Sequence, residues 1–476
     1  MATAIRDELA AVLGAAGLPT DELQRWAAVE PPTFPPPAVA SRDSLRGDAA
    51  AAGRFFQLGQ NLLDRLPPRP RRSEREQAAA EGVHAALRSV RTRFLRSYAA
   101  HLYAELTQDE QRVVRVEDLV YQASERVPGL APTRAQVAAE REHAQKDKEG
   151  YEIDQGLFLA QVLSQPRAGA HLVYAMLRPK PESIDLLSDF QRRGRLELGQ
   201  TTVERRGKVG YVLHGNPRFL NAEDDSTTAT LETAVDLVLL DPEIQVGVMR
   251  GKPVAHPKYA GHRVFNAGIN LTHLYHGLIS FVDFFIARDM GFVHKLYRGL
   301  SGAEFWPNEV EDTLEKPWIA AVETFAIGGG CQLLLAMDHV LAERSSFFNL
   351  PARKEGIIPG VSNMRLWRFV GDRAARQAIL FDRSFPADSP AGRLICDAVV
   401  PDGEMDQALD RAIDALVSSG VVSAAGNRKA IRVGQESLDM FRQYLAVYAR
   451  EQAVCHYSPQ LIRNLEQNWN AHQRQP

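Results

Sequence analysis

Three consecutive glycines, Gly328, Gly329 and Gly330, separate a strand-like apolar run from a helix-like one, and Cys331 and Gln332 follow directly. A turn of this kind leaves the first amides of a helix without acceptors, and such amides bind negative charge. Glycine also lets a ligand atom come close to the backbone, so residues 327–332 suit the stabilisation of an oxyanion. Phe265-Asn266-Ala267-Gly268-Ile269-Asn270 has the same setting, with a strand-like run ahead of it and an apolar helix from Leu271 onward. Each segment alone also reads as an ordinary strand-to-helix turn. Together, two such ends can face one atom, and the chemistry they suit is that of a carbonyl whose oxygen gains charge.

Other polar residues have plainer readings. Glu223 precedes Asp224, Asp225 and Ser226 just before a helix, where a carboxylate complements the helix N-terminus. Arg288 has Asp283 and Asp289 within reach as surface partners. His273 and His276 share a helix face without a carboxylate at facial-triad spacing, so they read as helix residues, and no metal site is expected. No Gly-x-Gly-x-x-Gly fingerprint follows a strand.

The elements that must hold the two loops are legible in texture. Leu87, Val90, Phe94, Tyr98 and Leu102 form the stripe of an amphipathic helix, and proline clusters at 31–37 and 67–70 punctuate the helices around it. Residues 1–200 read as an all-helical domain, with Arg71, Arg72, Lys146 and Lys148 as solvated surface. From Thr201 strands and helices alternate: strands at 203, 209–213, 245–249, 263–265 and 318–322, with helices at 231–240 and, as one long apolar face, 271–286. That rhythm makes residues 201–400 an α/β core. Helices return at 405–417, 429–450 and 458–469, so residues 401–476 form a C-terminal helical segment.

Bulk properties exclude several classes. At 476 residues the chain exceeds one core, given roughly 100–200 residues per domain. With 45% hydrophobic and 24% charged residues it is neither disordered nor membranous, and a net charge of −3 gives no basic footprint for nucleic acid. No run nears the roughly 20 apolar residues of a membrane span. Residues 1–18 lack a signal-peptide pattern, and Cys331, Cys396 and Cys455 are too few for a disulfide framework, so a reducing, cytoplasmic setting is expected.

Lys316-Pro317-Trp318-Ile319-Ala320-Ala321-Val322 precedes the glycines and Gly356-Ile357-Ile358-Pro359-Gly360 follows them. In this order the motifs resemble the crotonase (enoyl-CoA hydratase/isomerase) superfamily, over residues 207–410. The resemblance implies a spiral of ββα units with the active site between the two loops. The amides of Ile269 and Gly329 would then hold the thioester oxygen of an acyl-CoA, with Ala267, Gly268, Asn270, Gly328, Gly330, Ile357 and Ile358 around it. His256, Pro257, Lys258, Tyr259 and Ala260 would lie along the CoA adenine and phosphates. Trimers, often paired into hexamers, are implied as well, and the apolar stripe of residues 429–450 suits either subunit contacts or a cover over the protein's own site.

Hydratases of the superfamily carry one carboxylate two residues after the last glycine, here Gln332, and another four residues before the Gly-Ile-Ile-Pro-Gly run, here Ala352. Neither side chain exchanges a proton, so water addition is not expected unless the register slips and Glu355 enters the site. A core that keeps the oxyanion hole, lacks both carboxylates and follows a helical domain resembles one subgroup. It is that of the cofactor-independent (3,5-dihydroxyphenyl)acetyl-CoA 1,2-dioxygenases of glycopeptide-antibiotic biosynthesis. The likeness includes Gly328 to Gln332, Asn221-Ala222-Glu223, residues 267–270 and Arg288. It implies that Glu223, Arg288 and Gln332 recognise ring hydroxyls or order the site around them. It also implies acyl-CoA and O2 as substrates, with no metal, flavin or haem, and an enolate that reduces O2 in a dry pocket walled by Ile269, Phe325, Ile357 and Ile358. Glu223 is the nearest candidate proton acceptor. A thioesterase or isomerase on the same hole, or a CoA-binding protein without catalysis, are the alternatives, and oxygen uptake separates them.

Overall fold

The protein is seen as a computed structural model that describes residues 11–305, 312–418 and 420–476; of the N-terminal stretch 1–18, residues 1–10 therefore lie outside the described residues. The chain divides into two compact units, Met1–Leu172 with Leu445–Tyr457, and Val173–Tyr444 with Ser458–Pro476. The segment 173–200, grouped by its texture with the helices ahead of it, thus counts with the second unit. Among the described residues, no helix is long and apolar enough to cross a membrane.

The first unit is helical. Its longest helix, Glu74–Leu106, starts at a capping box in which Ser73 and Glu76 satisfy each other's free amides, and it buries Leu87, Val90, Phe94, Tyr98 and Leu102 along one stripe. Arg72 and Lys148 are not the solvated surface their composition suggests. The Arg72 side chain is 3% exposed because it pairs with Glu149 at 2.7 Å, and Lys148 is buried beside them in sequence.

The second unit is built on a seven-stranded sheet. Its strands are β1 (Arg195–Leu198), β2 (Thr201–Arg206), β3 (Val209–His214), β4 (Val246–Gly251), β5 (Trp318–Val322), β7 (His339–Glu343) and β10 (Ala398–Val400). They lie in the order β1-β2-β3-β4-β5-β7-β10, the first two pairings antiparallel and the rest parallel. A smaller sheet of β6 (Phe325–Ile327), β8 (Phe347–Asn349) and β9 (Phe385–Pro386) accompanies it. Val209, Tyr211, Val246, Val248, Ile319, Ala321 and Leu341 alternate along the strands and bury one face against Met405, Leu409 and Ile413 of helix Met405–Ser418. Helix Asp225–Leu240 packs on β2 and β3. Strands covered on both faces read as continuous apolar runs, which is why 318–322 was legible to the residue.

The chain winds by one repeated step: a strand in the large sheet, a short strand or single bridge in the small one, then a helix. Thus β5 leads to β6 and helix Gly329–Leu334, and β7 leads to β8 and helix Ala352–Glu355. In two earlier turns the inner strand shrinks to single bridges, Glu223 with Ile269 and Asn266 with Ala326. The expected strand at 263–265 is accordingly not a full strand.

Two expected helices are interrupted. The apolar face at 271–286 breaks after Leu271–Tyr275, where Gly277 has φ of +76° and Asp225 accepts from Ser280, and it resumes as π-helical turns Phe281–Ile286 and Arg288–Phe292. The face at 429–450 divides into Val421–Gln435 and Leu438–His456, because Glu436 leaves the helix to meet Arg365 at 2.8 Å and Arg368 at 3.0 Å.

Candidate active site

The carboxyl ends of the inner strands bring the two glycine-bearing loops together, as parallel sheets commonly do with their sites. Gly268 has φ of +79°, and a Cβ on it would lie 3.1 Å from the Gly329 nitrogen and 2.9 Å from the Ile327 carbonyl oxygen. The loops therefore meet with room for backbone only. Glu223 donates its amide to the Gly268 carbonyl at 2.7 Å, and the Gly268 amide donates to Asn266 Oδ1 at 2.6 Å. The next amide, that of Ile269, and the first amide of the following helix, that of Gly329, have no acceptor among the described residues. Two unused donors on adjoining loops have the form of an oxyanion hole.

Behind the glycines lies a buried polar cluster. Glu223 is wholly buried, and Arg288 donates to its two oxygens from Nε at 2.5 Å and Nη2 at 2.9 Å, while Asn266 Nδ2 adds a third bond at 2.7 Å. Burial alone would raise the Glu223 carboxyl. The Arg288 charge and these hydrogen bonds outweigh it and hold the group below the usual carboxylate range. A fully paired, depressed carboxylate is a weak base, which counts against Glu223 as proton acceptor. Nor does Glu223 serve the helix that follows, because Asp224 caps it by accepting from the Thr227 amide at 3.1 Å.

Arg288 is buried, not a surface residue, and it spans the site. Nη1 donates to Asp289 Oδ1 at 3.1 Å and to Gln332 Oε1, and Nη2 reaches the Gly329 carbonyl at 3.2 Å. Gln332 Nε2 donates to the same Asp289 oxygen at 2.7 Å. Arg288 and Asp289 are neighbours on a π-helical turn, and the length of the Arg288 side chain lets its guanidinium reach back to the adjoining carboxylate. Burial pushes the Asp289 carboxyl up against the opposing Arg288 charge, and its Oδ2 has no hydrogen-bond partner among the described residues.

In front of the loops opens a cavity of about 460 Å³, bordered by Ala267, Ile269, Asn270, Phe325 and Ile327 on the loop side and by His256 at its rim. Ile357 and Ile358 are half-buried and do not border it. Lys258 and Tyr259 border a separate cleft, with the Tyr259 ring edge-on to Phe325 at 5.4 Å, while Pro257 and Ala260 are exposed beside them. Gly328 continues the inner sheet by donating to the Asn349 carbonyl at 2.8 Å, and Gly330 packs on Asn266. Among the described residues, no three His, Cys, Asp or Glu side chains converge as a metal would need.

Three residues of this region were not singled out by type and spacing. Asn266 orients Gly268, Asp289 joins Arg288 to Gln332, and Tyr444 donates to the Gly360 carbonyl. Glu355 borders the cavity itself, without any register slip. One signal was available for it: Glu355 follows Ala352 by three residues, one helical turn along the same face.

Paired amides at the inner-strand ends of a ββα spiral define an acyl-CoA enzyme of the crotonase class. The family described as enoyl-CoA hydratase/isomerase matches residues 300–449. The (3,5-dihydroxyphenyl)acetyl-CoA 1,2-dioxygenase of Amycolatopsis orientalis is 45% identical over 87% of this chain and 94% of its own length. The short-chain-enoyl-CoA hydratase of Clostridium acetobutylicum is 27% identical over 51% of this chain and 84% of its own length. A solved enoyl-CoA hydratase from Mycobacterium avium subsp. paratuberculosis K-10 superposes with a TM-score of 0.46 at 22% identity, covering 56% of this chain and 98% of that one. The chain belongs to the crotonase superfamily and, within it, to the family of the (3,5-dihydroxyphenyl)acetyl-CoA 1,2-dioxygenase.

Proposed function

We propose that the protein is a dioxygenase that converts (3,5-dihydroxyphenyl)acetyl-CoA and O2 to 3,5-dihydroxyphenylglyoxylate and CoA without a metal, flavin or haem. The observation that carries this reading is the apposition of Gly268 and Gly329, which leaves the amides of Ile269 and Gly329 without an acceptor among the described residues, Ile269 bordering a largely apolar cavity, in a chain 45% identical along most of its length to a protein of that activity. A carbon between a thioester and an electron-rich ring loses a proton to give an oxidisable enolate, and the amides of Ile269 and Gly329 stabilise its oxygen. The enolate reduces O2, and the peroxide formed at the α-carbon attacks the thioester and expels CoA. Cleavage of the O–O bond with loss of the second α-proton leaves the keto acid, which holds both oxygen atoms. Ile269, Phe325 and Ile327 keep water from these intermediates.

Glu223, Arg288 and Gln332 order the glycine turn through mutual hydrogen bonds and meet the ring hydroxyls, with Asp289 as a further member of the set. His256 and Lys258, with Arg218 and Arg474 at the cavity, supply the polar and cationic groups that CoA phosphates require. Helix Pro459–Trp469 within the C-terminal segment covers the site, a role supported by Trp469 at the cavity and by the contact of Gly356 with Leu461. Exposed Trp367, Phe369 and Phe381 on helix Ser362–Phe381 support assembly into trimers or hexamers. The setting is cytoplasmic and serves the dihydroxyphenylglycine units of glycopeptide antibiotics.

The test is oxygen consumption by chelator-treated, flavin-free protein with this thioester, assaying CoA and keto acid together. Equal amounts of O2 consumed, CoA and keto acid support the reading. CoA released without oxygen uptake overturns it in favour of a hydrolase.

A further inference from the structure

Forming the enolate needs a proton acceptor, and Glu223 is committed to Arg288. Among the described residues bordering the cavity, one carboxylate is present, that of Glu355. It ends the short helix Ala352–Glu355, after which Gly356 turns the chain in a left-handed conformation with φ of +94°. Helix Pro459–Trp469 packs against this turn, a Cβ on Gly356 lying 3.0 Å from Leu461 Cα, so the position of the carboxylate is fixed from behind. Glu355 is 4% exposed, no described donor hydrogen-bonds its oxygens, and the residue borders the same cavity as Ile269.

We propose that Glu355 accepts the α-proton of the bound thioester. The inference rests on the dioxygenase reading for its substrate. The Cα–H bond breaks, its electron pair passes onto the thioester oxygen between the Ile269 and Gly329 amides, and the proton forms an O–H bond on Glu355. When the thioester opens, that proton goes to the departing CoA thiolate and the carboxylate is restored.

The surroundings suit the task. Burial raises the Glu355 carboxyl from 4.5 to about 7, with Asp382 adding to the shift and Lys354 opposing it. A base poised near the working pH combines a populated ionised form with appetite for a proton. Lys354 is itself paired with Asp382 at 3.2 Å. Helix Ser362–Phe381 brings Arg365 and Arg368, both taken by Glu436, and helix Pro459–Trp469 brings Glu466, which accepts from Tyr275 Oη at 2.8 Å. From the cavity side the charged or titratable neighbours are His256, Arg218 and Arg474.

The test is exchange of the α-hydrogens of (3,5-dihydroxyphenyl)acetyl-CoA in D2O without oxygen, followed by mass spectrometry from pH 5.5 to 8.5. The intact protein should exchange them at a rate that rises with pH, with a midpoint near 7. Glu355→Gln should exchange at least about 100-fold more slowly, while binding the thioester as tightly as the parent by calorimetry. A Glu355→Gln protein exchanging within about threefold of the parent overturns the inference. So does a flat profile in the intact protein, a result that needs no variant. Failure of the dioxygenase reading is seen separately, as absence of oxygen uptake by the intact protein in air, and it takes this inference with it.

Discussion

Arg288 holds both oxygens of Glu223, at 2.5 Å and 2.9 Å, where their side chains are 4% and 0% exposed. Such a pair contributes little net stability while intact, but removing one partner leaves a charge buried and alone. Arg288→Met should therefore lower unfolding stability at neutral pH by about 3–5 kcal/mol, measured by urea denaturation. The pH dependence has a definite sign. The folded Glu223 carboxyl lies below its unfolded value, so its contribution is full above the ordinary carboxylate range and is lost as pH falls through the folded value. In Arg288→Met this acid-side decline should flatten.

Gln332 explains its own chemistry through Asp289. Its amide donates to Asp289 Oδ1 at 2.7 Å, whereas a glutamate there would set two carboxylates against each other out of water. One of the two would stay protonated. Gln332→Glu should thus be less stable than the parent, with the deficit growing from pH 6 to pH 8.5 as the shared proton is stripped. Denaturant midpoints at the two pH values check this. Hydratase activity toward crotonyl-CoA should not appear, because the new carboxyl takes up the Arg288 and Asp289 contacts.

The glycine triplet, the partner loop and strand 318–322 were legible in the sequence because backbone geometry writes itself into residue type. A close approach needs glycine, and a strand buried on both faces needs an unbroken apolar run. What stayed hidden depends on tertiary partners. The break at Glu436 is set by Arg365 and Arg368, and the meeting of Arg288 and Asp289 with Gln332 by a tertiary contact that no spacing rule anticipates. Arg72 reads as surface until Glu149 is brought to it. Glu355 is reached in the sequence only through a slip of register, because motif register compares positions in a line, while the helix offers its face three residues on.

Gly268 carries the apposition of the loops, so a single methyl tests it. In Gly268→Ala the added carbon would stand 2.9 Å from Ile327 O and 3.1 Å from Gly329 N, at a φ of +79° that alanine avoids. The loops must part, and the two amides no longer converge. Loss of one oxyanion-hole donor costs about 100- to 1000-fold in kcat, and a loss of that size is expected here. Oxygen uptake at saturating thioester reads it, and thermal denaturation checks that the fold persists.

Glu355 should show a cost that function would justify. Its folded carboxyl stands at about 7 against 4.5, so the folded state binds this proton more tightly than the unfolded one. The sign is opposite to that of Glu223: stability is full below the unfolded value and is lost as pH rises through the folded one. At pH 8 the intact protein gives up about 3 kcal/mol for this one group, and at pH 5, already above the unfolded value, about 1 kcal/mol. Glu355→Gln carries no such proton, so its stability relative to the parent should improve by about 2–3 kcal/mol between pH 5 and pH 8. Denaturation curves at the two pH values measure the difference. A more stable yet slower protein is the outcome expected of a group kept for its chemistry, since activity often rests on a destabilised site. Equal stability at both pH values would mean that the carboxylate is solvated or paired and is not poised over the cavity.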